Sequence, residues 1–366
     1  ASPDRAAIER ARGTSPVGPE RLVAAVRRVD ELAGRMEFDS AGRLQGLDMT
    51  GDRVMLGNAD LDLLVAGLPG LAALRVAGGG IDDEGLACLT SQEALRHLAL
   101  LAAQISDAGL GRLAEMSALE SLDLRGCTRL STQGLSRLGR MPRLKGLKLR
   151  GPQISRATLE VLAGLEHLES LTLEESSILG EDLAVLARVP LRQLHLFRCM
   201  KIRDEGVASL KALSGLTELS LRDIPIQGTG LACLGSMPGL TAVRLNETGV
   251  NDAALENLVA LSKLARLELR QTAISDAGLA VVGRIASLTA LDLEDCGLSD
   301  EGVSHLAGLA RLQTLNLAKN AAVDDAAAEA LLKLPALTRL EIAETGISDE
   351  AAARLTSAKP NCRVVR

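Results

Sequence analysis

Few residues in this chain have the type and spacing to do chemistry. There are six cysteines and four histidines. Cys127, Cys199 and Cys296 each stand three residues after a leucine in an alternating stretch, Cys88 and Cys233 share a second register, and Cys362 lies near the C-terminal end. There is no C-x-x-C pair, and cysteines sharing a register stand whole strands apart, beyond the roughly 7 Å that a disulfide spans between Cα atoms. Buried, reduced thiols are therefore expected. His97, His167, His195 and His305 lack metal-ligand spacing to one another or to cysteine, and no Ser–His–Asp arrangement is legible. Ala77-Gly-Gly-Gly80 lacks the Lys-Ser/Thr of a phosphate-binding loop. The lone sequon Asn246-Glu-Thr248 reads as accidental. No catalytic residue, metal or cofactor is expected, and the chain reads as a non-enzyme.

The candidate chemistry is recognition. Phe197 is one of two aromatic residues, with Phe38, in a chain without Trp or Tyr. His195 precedes it by two positions, and Arg125, Lys148, Arg150, Arg222, Arg244 and Arg270 occupy equivalent positions in neighbouring segments. An exposed aromatic ringed by arginine is the composition of an interface hot spot. Guanidinium groups also grip carboxylates with two parallel hydrogen bonds. These eight residues are the candidate partner-binding site, with an acidic protein surface as its ligand. A plainer alternative stays open: pairs such as Arg150 with Glu174, or Arg244 with Glu268, simply neutralise each other across strands.

The elements that position these residues come from a repeat. The first leucine of an L-x-x-L-x-L pattern recurs at Leu44, Leu71, Leu95, Leu119, Leu144, Leu168, Leu191, Leu216, Leu240, Leu264, Leu288, Leu312 and Leu337, at spacings of 23 to 27 residues, most of them 24. In the unit beginning at Leu264, Leu267 and Leu269 alternate with Arg266, Glu268 and Arg270, which is the period of a strand. Ile274 returns to the core, Ser275-Asp276 offers a helix cap, and Leu279, Val282 and Ile285 mark one buried helical face. Gly278 is expected to let the helix approach its neighbour.

No unit can bury its leucines alone, so the units must stack into one continuous core. Two solvent-facing rows follow. One reads Asp48, Arg75, Ala99, Asp123, Lys148, Thr172, His195, Ser220, Arg244, Glu268, Asp292, Asn316, Glu341. The other reads Thr50, Ala77, Leu101, Arg125, Arg150, Glu174, Phe197, Arg222, Asn246, Arg270, Glu294, Ala318, Ala343.

The T-x-I-[S/T]-D-x-G-L pattern, as in Thr272-Ala-Ile274-Ser-Asp276-Ala-Gly278-Leu279, resembles bacterial leucine-rich-repeat proteins of the kind abundant in planctomycetes. The resemblance covers about residues 20–366. It implies an α/β fold: a leucine-rich-repeat solenoid, a right-handed horseshoe or arc, with a parallel inner sheet and short outer helices. Helices are wider than strands, so the strand face should be concave and form the binding surface. Residues 1–43 are expected to form a helical N-terminal segment and cap, with Pro19–Gly34 as a helix, Arg35–Asp39 as a strand and a linker-like stretch over 1–18. Residues 44–360 would hold about thirteen repeats, and 361–366 a closing strand that covers the last open edge. The 27-residue first spacing implies a bulkier loop around Gly51–Ala59, and Ala77–Gly80 and Arg222–Pro225 depart from the turn pattern.

Composition narrows the function further. Net charge is −6, and base stacking needs aromatic platforms that are almost absent, so nucleic acid is not an expected partner. Basic residues cluster from Arg125 to Arg150 and acidic ones from Ala157 to Asp182, a pattern expected of solvated faces that balance each other. No membrane span is expected, and scattered reduced thiols point to the cytoplasm, with an exported form whose leader has been removed as the alternative. The leading expectation is a protein-interaction scaffold using its concave face. The alternatives are a structural or assembly repeat protein without a discrete site, and a regulator or adaptor resembling ribonuclease inhibitor or ligase-receptor repeat domains.

Overall fold

The computed structural model describes residues 18–51 and 56–366. The chain divides into two compact units, Ala1–Ser177 with Arg188–Pro190, and Ile178–Ala187 with Leu191–Arg366. In the first, β1 (Arg35–Phe38) runs antiparallel to β2 (Leu44–Met49). From β2 onward the strands pair in parallel with the next in sequence: β3 (Ala73–Ala77), β4 (His97–Leu101), β5 (Ser121–Asp123), β6 (Gly146–Arg150) and β7 (Ser170–Glu174). The second unit repeats the plan with β8 (Gln193–Phe197), β9 (Glu218–Arg222), β10 (Ala242–Arg244), β11 (Arg266–Glu268), β12 (Ala290–Asp292), β13 (Thr314–Asn316), β14 (Arg339–Glu341) and β15 (Arg363–Val365), again parallel and in sequence order.

Register follows directly from the repeat. Leu219, Val243, Leu267, Leu291, Leu315 and Leu340 sit side by side on successive strands, each no more than 2% exposed. In the first unit Leu74, Leu98, Leu122, Leu147 and Leu171 do the same. Burying a leucine side chain contributes about 1.5–3 kcal/mol, so the row of aliphatic side chains holds the strands in line. On the return path Leu279, Val282 and Ile285 close the core from the helical side. The helices are short, and several run from α into 3-10 geometry, as Asp300–Ser304 does into His305–Gly308.

The helix caps correct the sequence reading in one respect. Ser275, not Asp276, is the N-cap of the helix Asp276–Val282, its side chain accepting from the Ala277 N–H. Asp276 instead accepts from the backbone N–H and hydroxyl of Ser299 in the next repeat. The same Asp-to-Ser link joins Asp83 to Ser106, Asp107 to Ser131, Asp252 to Ser275 and Asp325 to Ser348. This link accounts for the glycine three residues after the linked serine in four of these five cases, Gly109, Gly134, Gly278 and Gly302: a Cβ at Gly278 would lie 2.2 Å from the Asp252 carboxylate, and one at Gly302 2.2 Å from that of Asp276. Glycine there lets the carboxylate of the preceding repeat reach across.

The six cysteines are free. Cys127 and Cys296 donate their thiols to backbone carbonyls, of Leu100 and Leu269, in a position that other repeats fill with Thr248, Thr272 or Asn320. Asn320 is fully buried, donating to the Leu293 and Leu317 carbonyls and accepting from the Cys296 and Leu298 N–H groups. These side chains satisfy buried backbone groups, a structural role. Cys362 precedes β15 and is buried.

The glycine run also has a packing reason: Cβ atoms at Gly78 and Gly80 would meet the Leu56 carbonyl oxygen at 2.5 and 2.9 Å. At the N-terminal end the helix spans Pro19–Glu31, and Gly42 turns between β1 and β2 with φ +77°. The expected loop around Gly51–Ala59 is shorter than read, since a helix occupies Asn58–Gly67. Residues 52–55 of that loop, and residues 1–17 of the stretch read as linker-like over 1–18, lie outside the described residues.

Candidate binding site on the strand face

The alternation of each strand puts one set of side chains in the core and the other on the opposite face. Within each unit the first solvent-facing row is in register: Asp123 stands beside Lys148 on β5 and β6, and Arg244, Glu268, Asp292, Asn316 and Glu341 stand in line from β10 to β14. Of the eight nominated residues, Arg125, Lys148 and Arg150 belong to the first unit, and His195, Phe197, Arg222, Arg244 and Arg270 to the second.

In the first unit Arg125 bonds Asp123 at 2.8 Å and reaches Glu174 at 2.9 Å. Arg150 does not take Glu174, its register partner, but bonds Glu175 at 2.7 Å. A carboxylate already held by Arg125 leaves the outer glutamate as the better acceptor. Lys148 is exposed and, among the described residues, forms no ion pair. Two links, Arg125 to Glu174 and Arg150 to Glu175, join the basic run to the acidic one, and Lys145 bonds Glu120 at 2.7 Å.

The second unit brings its five residues into one connected patch. Arg222 and Arg270 both bond Glu247. Burial acts to raise the Glu247 pKa, but the two guanidinium groups prevail and hold it below the ordinary carboxylate value. Arg244 bonds Glu268 at 3.0 Å, as the spacing implied, and Glu218 at 3.3 Å, while His195 Nε2 lies 3.9 Å from Glu218. Phe197 is half-buried, with the guanidinium carbons of Arg198 and Arg222 each 4.9 Å from its ring centroid. Cation–π contacts of this kind contribute about 0.5–2 kcal/mol each.

Arg198 was not among the nominated residues. It reaches the ring because the residue after the second solvent-facing position is left-handed in repeat after repeat: Arg198 has φ +51°, Asp223 +49°, Glu247 +61° and Gln271 +51°. Few non-glycine residues adopt this conformation, and only the recurrence of the position within the repeat could have signalled it. Met200, in the following loop, is 53% exposed. Asn246, read as solvent-facing, is instead only 8% exposed, donating to Glu268 at 3.0 Å and accepting from the Arg270 N–H at 2.9 Å. Its amide is therefore occupied, which disposes of the sequon.

A second feature escaped the sequence reading. A cavity of about 300 Å³ opens over β11–β14, its lining including Glu268, Asp292, Asn316 and Glu341. These four residues belong to the first solvent-facing row; the signal was the small side chains between them, Ala290 and Thr314.

A family model described as a leucine-rich repeat region matches residues 94–357. Among solved structures, an internalin (inlF) from Listeria monocytogenes is 20% identical, with a TM-score of 0.55, covering 93% of this chain and 94% of that one. The yeast Rad7 and Elc1 complex contains a chain 19% identical, with a TM-score of 0.60, over 85% of this chain and 84% of that one. A chain in the TLR13–ssRNA13 complex is 15% identical, with a TM-score of 0.58, over 85% of this chain and 51% of that one. None of the curated proteins matches the chain in sequence.

Proposed function

This chain belongs to the leucine-rich-repeat proteins, and from that premise we propose that it is a non-enzymatic scaffold that binds a protein partner on the strand face of its second unit. The observation that carries the reading is Phe197, an aromatic side chain placed on a solvent-facing strand position and held between Arg198 and Arg222. A ring pre-ordered by its neighbours loses little entropy when a partner covers it, and the exposed Met200 extends the apolar contact area.

A protein fits better than a nucleic acid. Arg222, Arg244 and Arg270 are already paired with carboxylates, so few cations remain to neutralise phosphates. The same pairing argues against acidity as the defining property of the partner, and for shape and the aromatic anchor. No helix among the described residues is long and apolar enough to cross a membrane. Six free thiols fit a reducing, cytoplasmic setting.

The test is capture from extract of the source cells with immobilised wild type, Phe197→Ala, and Phe197→Ala combined with Arg222→Glu. A protein retained by wild type should be lost with both variants, whose thermal midpoints stay close to wild type. Equal capture by all three would overturn the site. Capture that disappears on nuclease treatment would overturn the protein reading.

A further inference from the structure

The cavity over β11–β14 is produced by side-chain size. In the register row Arg266, Ala290, Thr314, Arg339, two long side chains flank two short ones, leaving a trough two strands wide. Beside it runs the row Glu268, Asp292, Asn316, Glu341, rich in hydrogen-bond acceptors. Two of these carboxylates already have cations: Glu268 has Arg244 at 3.0 Å, and Glu341 has Arg339. Asp292 has none among the described residues. Its Oδ1 accepts the Glu294 N–H at 3.1 Å, and among the described residues no donor reaches Oδ2. Arg266 lines the trough without an ion pair to Asp292 among the described residues, and Lys319, in the turn after β13, is engaged by Glu294 at 2.7 Å.

We infer that this trough is a subsite for an arginine side chain presented by a protein partner, with Asp292 as its anchor. The subsite takes its ligand source from the scaffold reading above but shares no residue with the Phe197 anchor. A volume of about 300 Å³ lies at the lower end of ligand pockets, room for one side chain rather than a cofactor. Among the described residues no three His, Cys, Asp or Glu side chains could hold a metal ion, so the cation is one that hydrogen-bonds. A planar guanidinium can meet Asp292 with two parallel N–H donors and still present others to Asn316 or the neighbouring carboxylates. The electrostatics agree. Burial raises the Asp292 carboxyl above its ordinary value, and the charges of Glu268 and Glu294 add to the rise, against the pull of the Glu294 N–H and of the more distant Arg270 charge. A bound cation would relieve that penalty.

The experiment is a titration of the full chain, with alanine methyl groups isotopically labelled, followed by NMR at the Ala290 methyl. The probe is acetyl-Gly-Arg-Gly-amide, and its control is the same peptide with neutral citrulline in place of arginine. The arginine peptide should shift Ala290 saturably and the citrulline peptide should not. Asp292→Asn should weaken binding tenfold or more, and Ala290→Leu, which fills the trough, should do the same as judged by competition. Glu301→Gln removes the same charge from an exposed helix position and should stay within twofold of wild type. Equal response to both peptides, unchanged binding by Asp292→Asn, or equal weakening by Glu301→Gln would overturn the subsite. Phe197→Ala serves as the independent arm. It should leave this titration intact, so a failure of the aromatic anchor and a failure of the arginine subsite are read separately.

Discussion

Asp276 holds Ser299 of the next repeat by two hydrogen bonds, from its backbone N–H at 2.9 Å and from its hydroxyl at 2.6 Å. Repeat proteins derive stability from the interface between neighbouring units as much as from each unit alone, and this link recurs at interface after interface. Hydrogen bonds to charged groups contribute about 1.5–3 kcal/mol each when well formed, less at the surface. Asp276→Ala is therefore expected to lower stability by about 1–3 kcal/mol, measured as a fall in the urea midpoint. No change would show that the link is incidental.

Not every interface follows this pattern. Where the five links above place serine, Asp324 faces Asp300, its N–H donating to Asp300 Oδ1 at 2.8 Å. Burial first, and then the neighbouring Asp324 carboxyl, raise the Asp300 pKa. A carboxyl with a raised folded-state pKa opposes folding above its unfolded value, and the penalty fades as pH falls through the folded value. Asp324→Ser, which keeps a capping oxygen for the Ala326 N–H, should therefore raise the thermal midpoint at pH 7. The gain should shrink towards zero as the pH drops below about 4, the ordinary range of aspartate. A gain independent of pH would refute the electrostatic account.

Asn320 satisfies two backbone N–H groups and three carbonyls in a fully buried position. Asn320→Ala would strand them, at roughly 1–3 kcal/mol for each group left without a partner. A loss of about 2–5 kcal/mol is expected by chemical denaturation, larger than for a typical surface substitution. Asn320→Thr, the residue type at the equivalent positions 248 and 272, should recover part of it.

Burial pushes the Cys88 and Cys233 thiols up to about 11 and Cys127 to about 12. Only the thiolate reacts. At pH 8 the native protein should modify slowly with a chromogenic disulfide reagent, whereas all six thiols should react promptly in denaturant. Rapid labelling of Cys127 in the native state would contradict this packing.

Phe197 and Leu267 should separate binding from folding. Leu267 is fully buried, so Leu267→Ala should cost about 2–5 kcal/mol. Phe197 stands on the opposite side of its strand from the core, and Phe197→Ala should cost much less. A loss comparable to that of Leu267→Ala would make the ring structural rather than a binding anchor.

The architecture was legible because stacking turns position within a repeat into position in space. A strand has period two, so Leu267 and Leu269 declare the core and Glu268 declares the open face. A constant spacing then sets Glu268 beside Asp292 before any coordinates are seen. The fold and the alignment of the two rows were readable for that reason, although Ala99, Asp123, Ser220, Asn246 and Ala318 within those rows are buried.

The sequence by itself thus determined which residues share a face and which stand side by side. Only the tertiary structure decided which of them join. Arginine is long enough to choose among several carboxylates, and burial and competition made the choice: Arg125 took Glu174, leaving Arg150 to Glu175. Left-handed turns, invisible without glycine, swung Arg198 against Phe197. Asn246 turned inward because Glu268 and the Arg270 N–H could satisfy its amide. The trough around Asp292 exists because short side chains on two neighbouring strands fall next to each other. That coincidence depends on register and side-chain volume together, and the volume of a gap belongs to the packed assembly rather than to any one repeat.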